Sequence, residues 1–502
     1  MQIYSDIRLL TYIHKHIRTY IHTYTHTYIH TYKHTYMSRR KRKENKEIGV
    51  YINNTKLIQV NYIKYLGIIL DNKLTFKEHI IHIEEKCTKL IFSLAKSAKL
   101  TWGLKHKALK TIYTGAILPL MTYGAPVWKD ALNKASFKAR LVRTQRLLNI
   151  KIAKAYRTVS NDALCIITGL MPIHLKILEV AKFYEISKSK DELYDRDTEP
   201  HTWIHPAKHI AIIEGHDDST HYIHAYTDGS KNEEGTGAGI AIYANRSLRT
   251  KLKFRLNEQC SNNQAEQMAI LKALEYIQTL KEEEKTALIH TDSRITLQLL
   301  QNQKRHTHLI ELIKKITLEL ESLDWKIEFS WIKAHVGHEG NETADRLAKE
   351  AAGNKNIPES YNKIPKSSIT RELKEKYTKQ WQAEWKSTMK GSTTRSFFPN
   401  IEDRLRLRIT PTPNFTTLVT GHGNLKNYLH KYKIIDNPQC NCNKGEQTVE
   451  HIIFNCELHE QERDRLKAVV AKTKQWPISK TELITKFYKE FKHFTDIIVL
   501  NE

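Results

Sequence analysis

The central stretch of the sequence predicts an α/β fold, a mixed five-stranded sheet with helices on its faces. Three observations predict it. Between residues 222 and 352, apolar residues recur first at strand period and then at helix period, in the order β-β-β-α-β-α-β-α. The predicted strands HYIHAYTDGSK and KTALIHTDS each close on an aspartate followed by a turn or helix-start residue. The predicted helices are apolar on one side only, as a sheet-covering helix must be.

Taken in order, HYIHAYTDGSK reads as a strand ending in an Asp-Gly-Ser turn, and TGAGIAIYA and LRTKLKFRL extend it as an antiparallel meander. SNNQAEQMAILKALEYIQTL then changes to helical spacing through Ile270, Ala273, Leu274, Ile277 and Leu280. Glu266 lies one turn before Ile270 on that apolar face, where an uncompensated carboxylate is costly. KTALIHTDS delivers Asp292 at a strand end, and a helix begins near Arg294. HLIELIKKITLELESL is amphipathic through Leu309, Leu312, Ile313, Ile316 and Leu320. WKIEFSWIKAH is the last strand, and ETADRLAKEAA the last helix, bearing Asp345.

Each acid alone has a structural explanation. Asp228 suits a turn, Asp292 a helix cap, and Glu266 and Asp345 a helix surface. Strand ends and helix starts are where such folds collect catalytic groups, and the four in this order, each in a context that carries the family resemblance given below, read together as a metal site.

Size and charge bound the rest. A chain of 502 residues exceeds what one core serves, so two to four domains are expected. Net charge +25 points to a polyanionic partner, nucleic acid ahead of an anionic membrane surface. No apolar run reaches the roughly 18 residues of a spanning helix, and polar His and Thr interrupt any signal-peptide core. Six cysteines are too few for a disulfide scaffold. The expected setting is intracellular, nucleus or cytoplasm, not secreted and with no membrane partner.

Residues 1 to 47 are low-complexity and basic, and are expected to be disordered. The tract from 11 to 36 repeats His-Thr-Tyr-Ile, as a translated simple DNA repeat would. Metal binding by His22, His26, His30 and His34 is the alternative, but Thr and Tyr form the required helix poorly. Met37 is a candidate start for the foldable chain. SRRKRKENK, from Ser38 to Lys46, fits a nuclear address, a phosphate contact or a solvated linker. Residues 48 to 184 read as a mainly helical region in which a helix from about Ala108 stops near Pro119, and 185 to 221 as a linker. Through residue 150 there are 27 Lys plus Arg against 8 Asp plus Glu, whereas 222 to 352 carry 18 against 19. Grip on nucleic acid is therefore expected from the flanks, which could hold further nucleic acid through phosphate contacts.

YTDGS, NNQAE, HTDS and WIKAHVGHEGNETAD carry a resemblance: residues 222 to 352 resemble a ribonuclease H domain of the type found in retroelements and in cellular type 1 enzymes. The resemblance implies a ribonuclease H-like sheet and a catalytic set of Asp228, Glu266, Asp292 and Asp345 holding two Mg²⁺ ions, with Mn²⁺ as a substitute. It makes His335 the loop histidine, suited to moving a proton or aiding product release, and Asn341 the asparagine before the last acid. Asn262 and Asn263 match the hybrid-contacting pair, and Gly229 and Ser230 are placed to read the 2′-hydroxyl that distinguishes RNA from DNA. Carboxylates suit a hard cation, and two ions about 3.5 to 4 Å apart serve both ends of a phosphodiester displacement.

Tyr65, Leu66, Gly67 and Asp71, then Tyr123, Gly124 and Trp128, resemble the segment after the polymerase palm in non-LTR (LINE-type) retrotransposon reverse transcriptases. The aromatic-x-Asp-Asp turn of that polymerase is missing, since the adjacent pair Asp217 and Asp218 sits in GHDDST. DNA synthesis is not expected, and a separate reverse transcriptase becomes a candidate partner. Residues 353 to 502 read as a helical region with a small zinc-knuckle-like segment at 440 to 456. There Cys440, Cys442, His451 and Cys456 form a CCHC-like set suited to structural zinc, or else a group of unmetallated buried thiols. Its context resembles the tail of insect-type non-LTR elements. The expected function is a metal-dependent, retrotransposon-derived endonuclease cutting the RNA strand of RNA/DNA hybrids. The alternative is a catalytically silent nucleic-acid-binding remnant.

Overall fold

The structure, a computed structural model, describes residues 35–36, 51–52, 55–56, 58–95, 104–189, 193–195, 197–198, 210–213, 221–302, 306–333 and 337–500. Apart from Thr35–Tyr36, the histidine repeat and the basic run lie outside these residues, as does the Asp217–Asp218 pair. The chain divides into two units, Glu185–Leu373 and a second assembled from Met1–Tyr184 with Lys374–Glu502.

In the Glu185–Leu373 unit, strands β1 (Ile212–Ile213), β2 (Ile223–Lys231), β3 (Thr236–Ala244) and β4 (Ser247–Leu256) precede helix α1 (Asn262–Gln278). Strand β5 (Thr286–Thr291), helices α2 (Arg294–Gln301) and α3 (His308–Ser322), strand β6 (Lys326–Trp331), helix α4 (Glu339–Gly353) and strand β7 (Glu359–Tyr361) follow. The sheet order is β7-β4-β3-β2-β5-β6-β1. β2, β3 and β4 form the antiparallel meander, and β5 and β6 add parallel to β2. The five expected strands are its centre. The sheet gains two short edge strands, β1 from the stretch read as a linker and β7 from beyond the last helix. Two or three residues show no periodicity, which is why the sequence hides them, yet Ile210 and Ile212 still pack against the core.

Alternation along β2 explains how helices cover both faces. Ile223 and Ala225 point into the core shared with α1 and α3, while Tyr226 joins Ala241, Ile332 and Ala344 on the α4 side. Helix α4 approaches β3 closely because β3 offers glycines. A Cβ on Gly239 would lie 2.1 Å from Ala344 O, and one on Gly237 would lie 2.3 Å from Ala348 O.

The second unit contains a hairpin, Tyr62–Tyr65 with Ile68–Asp71, turned by Leu66 and Gly67 at positive φ. The resembling residues meet here. Tyr123 Oη donates to Leu66 O at 2.9 Å, Trp128 Nε1 donates to Tyr123 O at 2.8 Å, and Asp71 accepts from the backbone N–H of Phe76 at 2.6 Å. The helix expected to stop near Pro119 instead continues. His106–Ile112 passes into a π-helical stretch, Tyr113–Ile117, and then into Leu118–Thr122, whose first turn contains Pro119. A first turn tolerates proline, and the wide π turn gives its ring room.

Distant segments complete this unit. Thr416 Oγ1 donates to Ala153 O at 2.6 Å, and His174 meets Glu384 at 3.0 Å. Among the described residues no single helix is long and apolar enough to cross a membrane.

Candidate metal centre

Register brings the acids together. Thr227 of β2 is paired with Thr291 of the parallel neighbour β5, so the next residue of each chain segment, Asp228 and Asp292, emerges at the same end of the sheet. Glu266 arrives from the first turns of α1. Ser261 caps that helix, accepting from the Gln264 N–H while the Gln264 side chain accepts from the Ser261 N–H, which fixes where the helix starts. Gly229 lets β2 and α1 touch, since a Cβ there would fall 2.4 Å from the Glu266 nitrogen. Oxygens of Asp228, Glu266 and Asp292 all lie within 4.8 Å of one another.

The electrostatics follow from this crowding. Burial, then the charges of Asp292 and Asp345, push the Asp228 carboxyl up to about 7. Burial, then the charges of Asp228 and Asp292, raise Glu266 well above the usual carboxylate range. Glu266 Oε2 is buried with no donor to it among the described residues, and the Asp228 carboxylate stands beside it. Two facing carboxylates require either a shared proton or a cation. A divalent cation fits this all-oxygen donor set.

Asp345 projects from α4, half-buried, and its carboxylate accepts from Lys349 Nζ at 2.7 Å. It bears on Asp228 electrostatically but is not among the three acids that converge within 4.8 Å. Sequence reading missed Lys349, although a lysine four residues after an acid on a helix is a recognisable pairing. It also missed the glycines of β3, which were visible only as a GAG run in a strand.

The other expected site residues are placed as follows. Asn262 and Asn263 are exposed at the start of α1, and Asn262 Nδ2 donates to Glu266 Oε1 at 3.4 Å. Gly229 is buried, and its N–H donates to its neighbour Asp228 Oδ1 at 2.7 Å. Ser230 is half-buried one residue further on. Asn341 is 3% exposed and its Oδ1 accepts nothing among the described residues. His335 lies outside the described residues.

A second donor cluster sits in the other unit. Cys440, Cys442, His451 and Cys456 lie within 4.8 Å of one another, with Cys440 and Cys456 sulfurs 3.6 Å apart and Cys442 Sγ 3.1 Å from His451 Nε2. A tight turn with Asn443 and Gly445 at positive φ brings the first pair round, and Thr448 caps the helix that carries His451.

Comparison with known proteins agrees with this geometry. A family model described as RNase H matches residues 220–353. A ribonuclease H of Rippkaea orientalis is 32% identical over 158 residues, 28% of this chain and 91% of that protein. The sheet order, the acid cluster and these matches agree, and the chain belongs to the ribonuclease H family. A retrovirus-related Pol polyprotein from type-1 retrotransposable element R1 of Popillia japonica is 30% identical over 207 residues, 40% of this chain and 78% of that protein. The putative 115 kDa protein in type-1 retrotransposable element R1DM of Drosophila melanogaster is 31% identical over 149 residues, 29% of this chain and 15% of that protein. The ribonuclease H domain here is thus that of a LINE-type, R1-like retrotransposon polyprotein. The chain spans only 13 to 32% of the length of the first relatives it matches.

Proposed function

We propose that the chain is a metal-dependent endonuclease that hydrolyses the RNA strand of RNA/DNA hybrids and leaves a 3′-hydroxyl. The observation that carries this reading is the convergence of Asp228, Glu266 and Asp292, with a buried Glu266 oxygen that no protein group satisfies among the described residues. Asp228, Glu266, Asp292 and Asp345 would hold two Mg²⁺ ions, or Mn²⁺ in their place. Bound there, the ions supply a nucleophilic hydroxide at neutral pH and stabilise the leaving alkoxide.

The protein's own residues do the rest. Asn262 and Asn263, exposed beside Glu266, present amides to the shallow groove in which the 2′-hydroxyl lies. Ser230 borders the same cluster. Lys349 holds one carboxylate oxygen of Asp345 and so orients that acid on α4. Asn341 offers an unused carbonyl oxygen, and His335 is assigned the proton transfer and product release that its family-like loop suggests. Structural zinc is the proposed occupant of the Cys440, Cys442, His451 and Cys456 set, whose three sulfurs and one nitrogen suit it. A reverse transcriptase is the proposed source of the hybrid, inside the cell.

Incubation of the purified chain with a labelled hybrid, with Mg²⁺, with EDTA, and as Asp228→Asn tests the reading. Cleavage is expected only for the wild type with metal, and equal cleavage by Asp228→Asn would overturn the mechanism. A silent remnant would bind the hybrid without metal-dependent cutting, so the same assay separates the two readings.

A further inference from the structure

The helix Lys426–Lys431 has no buried residue. Its Tyr428 and Leu429 side chains are half-buried, so part of each stays open to solvent. Tyr432 is 56% exposed and Ile434 64% exposed. The rings of His422, Tyr428 and Tyr432 nevertheless form a ladder, with centroids 4.7 and 4.9 Å apart and planes tilted by 45° and 51°. Between His422 and Ile434 the sequence has three lysines, Lys426, Lys431 and Lys433, and no acid.

Polar ties hold this helix in place. The Lys426 N–H donates to Gln447 Oε1 at 2.9 Å, and Asn427 Nδ2 donates to Glu446 Oε2 at 2.6 Å. Gln447 and Glu446 lie between Cys442 and His451, so the Cys/His cluster frames the segment that anchors the ladder. His422 is steadied from the other side by Thr158, 3.2 Å away. The result is a fixed set of rings, two half-buried and one exposed, at the protein surface.

We propose that His422, Tyr428 and Tyr432 form a stacking platform for single-stranded nucleic acid, with Lys426, Lys431 and Lys433 contacting its phosphates. The charge selects a polyanion, and the rings select one with free base faces. A duplex keeps its bases stacked on one another, whereas a single strand offers a π-face at each nucleotide. An i, i+4 aromatic pair on a helix is commonly just packing. Here Tyr428 is only half-buried and Tyr432 is 56% exposed, so the rings keep free faces beside the lysines, which suits recognition. This site is independent of the proposed hybrid cleavage and stands or falls separately from it.

The test uses the full chain, without added Mg²⁺, in fluorescence anisotropy titrations against labelled dT and rU strands of about 12 nucleotides and a DNA duplex of equal length. Tyr428→Leu/Tyr432→Leu keeps apolar bulk but removes the rings, and is expected to weaken single-strand binding roughly tenfold or more. Tyr428→Phe/Tyr432→Phe should retain most of it, which separates stacking from loss of folding. Lys431→Gln/Lys433→Gln should flatten the salt slope by about 1.4, at roughly 0.7 per neutralised phosphate. Binding by the Leu pair within twofold of wild type, or equal losses on duplex and single strand, would overturn the proposal.

Discussion

Glu266 and Asp228 oppose folding in the metal-free chain, because burial and mutual repulsion favour their neutral forms. The direction of the pH effect follows. An acid whose folded pKa is raised binds more protons folded than unfolded, so stability falls as pH rises from about 4 towards about 7, the value to which Asp228 is pushed. The loss should be on the order of 1 to 4 kcal/mol. Urea unfolding of the metal-free chain at a series of pH values checks it, and Asp228→Asn is expected to flatten the curve. The same substitution should lower hybrid cleavage by about a hundredfold or more, since even outer partners of metal ligands cost about 10 to 100-fold. These acids were legible because each sits in a recognisable short context, YTDGS, NNQAE, HTDS or NETAD. Lys349 was not, because its meaning depends on which turn of α4 faces the sheet. Motif residues also resolve differently at this scale: Tyr123, Gly67 and Trp128 serve to lock a hairpin onto a helical turn.

At the level of elements, α4 and β3 fit through missing side chains. Gly239→Ala would drive a methyl into the backbone of Ala344 and Ala348, and should cost about 3 kcal/mol or more, with α4 displaced. Displacement moves Asp345, so the variant should also need more Mg²⁺ for hybrid cleavage; an unchanged Mg²⁺ dependence would show that α4 does not position the metal acids. The N-terminus of α1 makes a milder case. Ser261→Ala removes the cap and is expected to cost about 1 kcal/mol, read as a lower urea midpoint with cleavage retained at moderate temperature. Five strands and the helices between them were readable from period alone. The edge strands β1 and β7 were not, because a strand of two or three residues is defined by its neighbour's free edge. Nor was the passage of the helix through Pro119, which depends on a π turn that no local propensity announces.

Across the whole molecule, charge and chemistry are separated. The nearly neutral stretch 222 to 352 carries the acids, and the basic excess lies in flanking sequence. The Glu185–Leu373 unit expressed alone should therefore bind the hybrid more weakly than the full chain, with a salt slope shallower by about 0.9 for each phosphate that the absent flanks would have neutralised. Binding and salt dependence equal to the full chain would place the grip within that unit instead. Deleting residues 1 to 180 would not isolate the grip of the flanks, because Ala153 and His174 are partners of Thr416 and Glu384. No sequence pattern exposes such pairings, since they join segments more than two hundred residues apart.

That interleaving has a consequence for synthesis on the ribosome. His174 leaves the exit tunnel 210 residues ahead of Glu384, and at about 5 to 20 residues per second this is a wait of roughly 10 to 40 seconds. During it the whole Glu185–Leu373 unit is made, its last residue emerging 11 residues ahead of Glu384. The N-terminal helices meanwhile lack Thr416 and Glu384, the polar partners of Ala153 and His174, and pulse-labelled nascent chains should be more protease-sensitive there until translation passes Thr416.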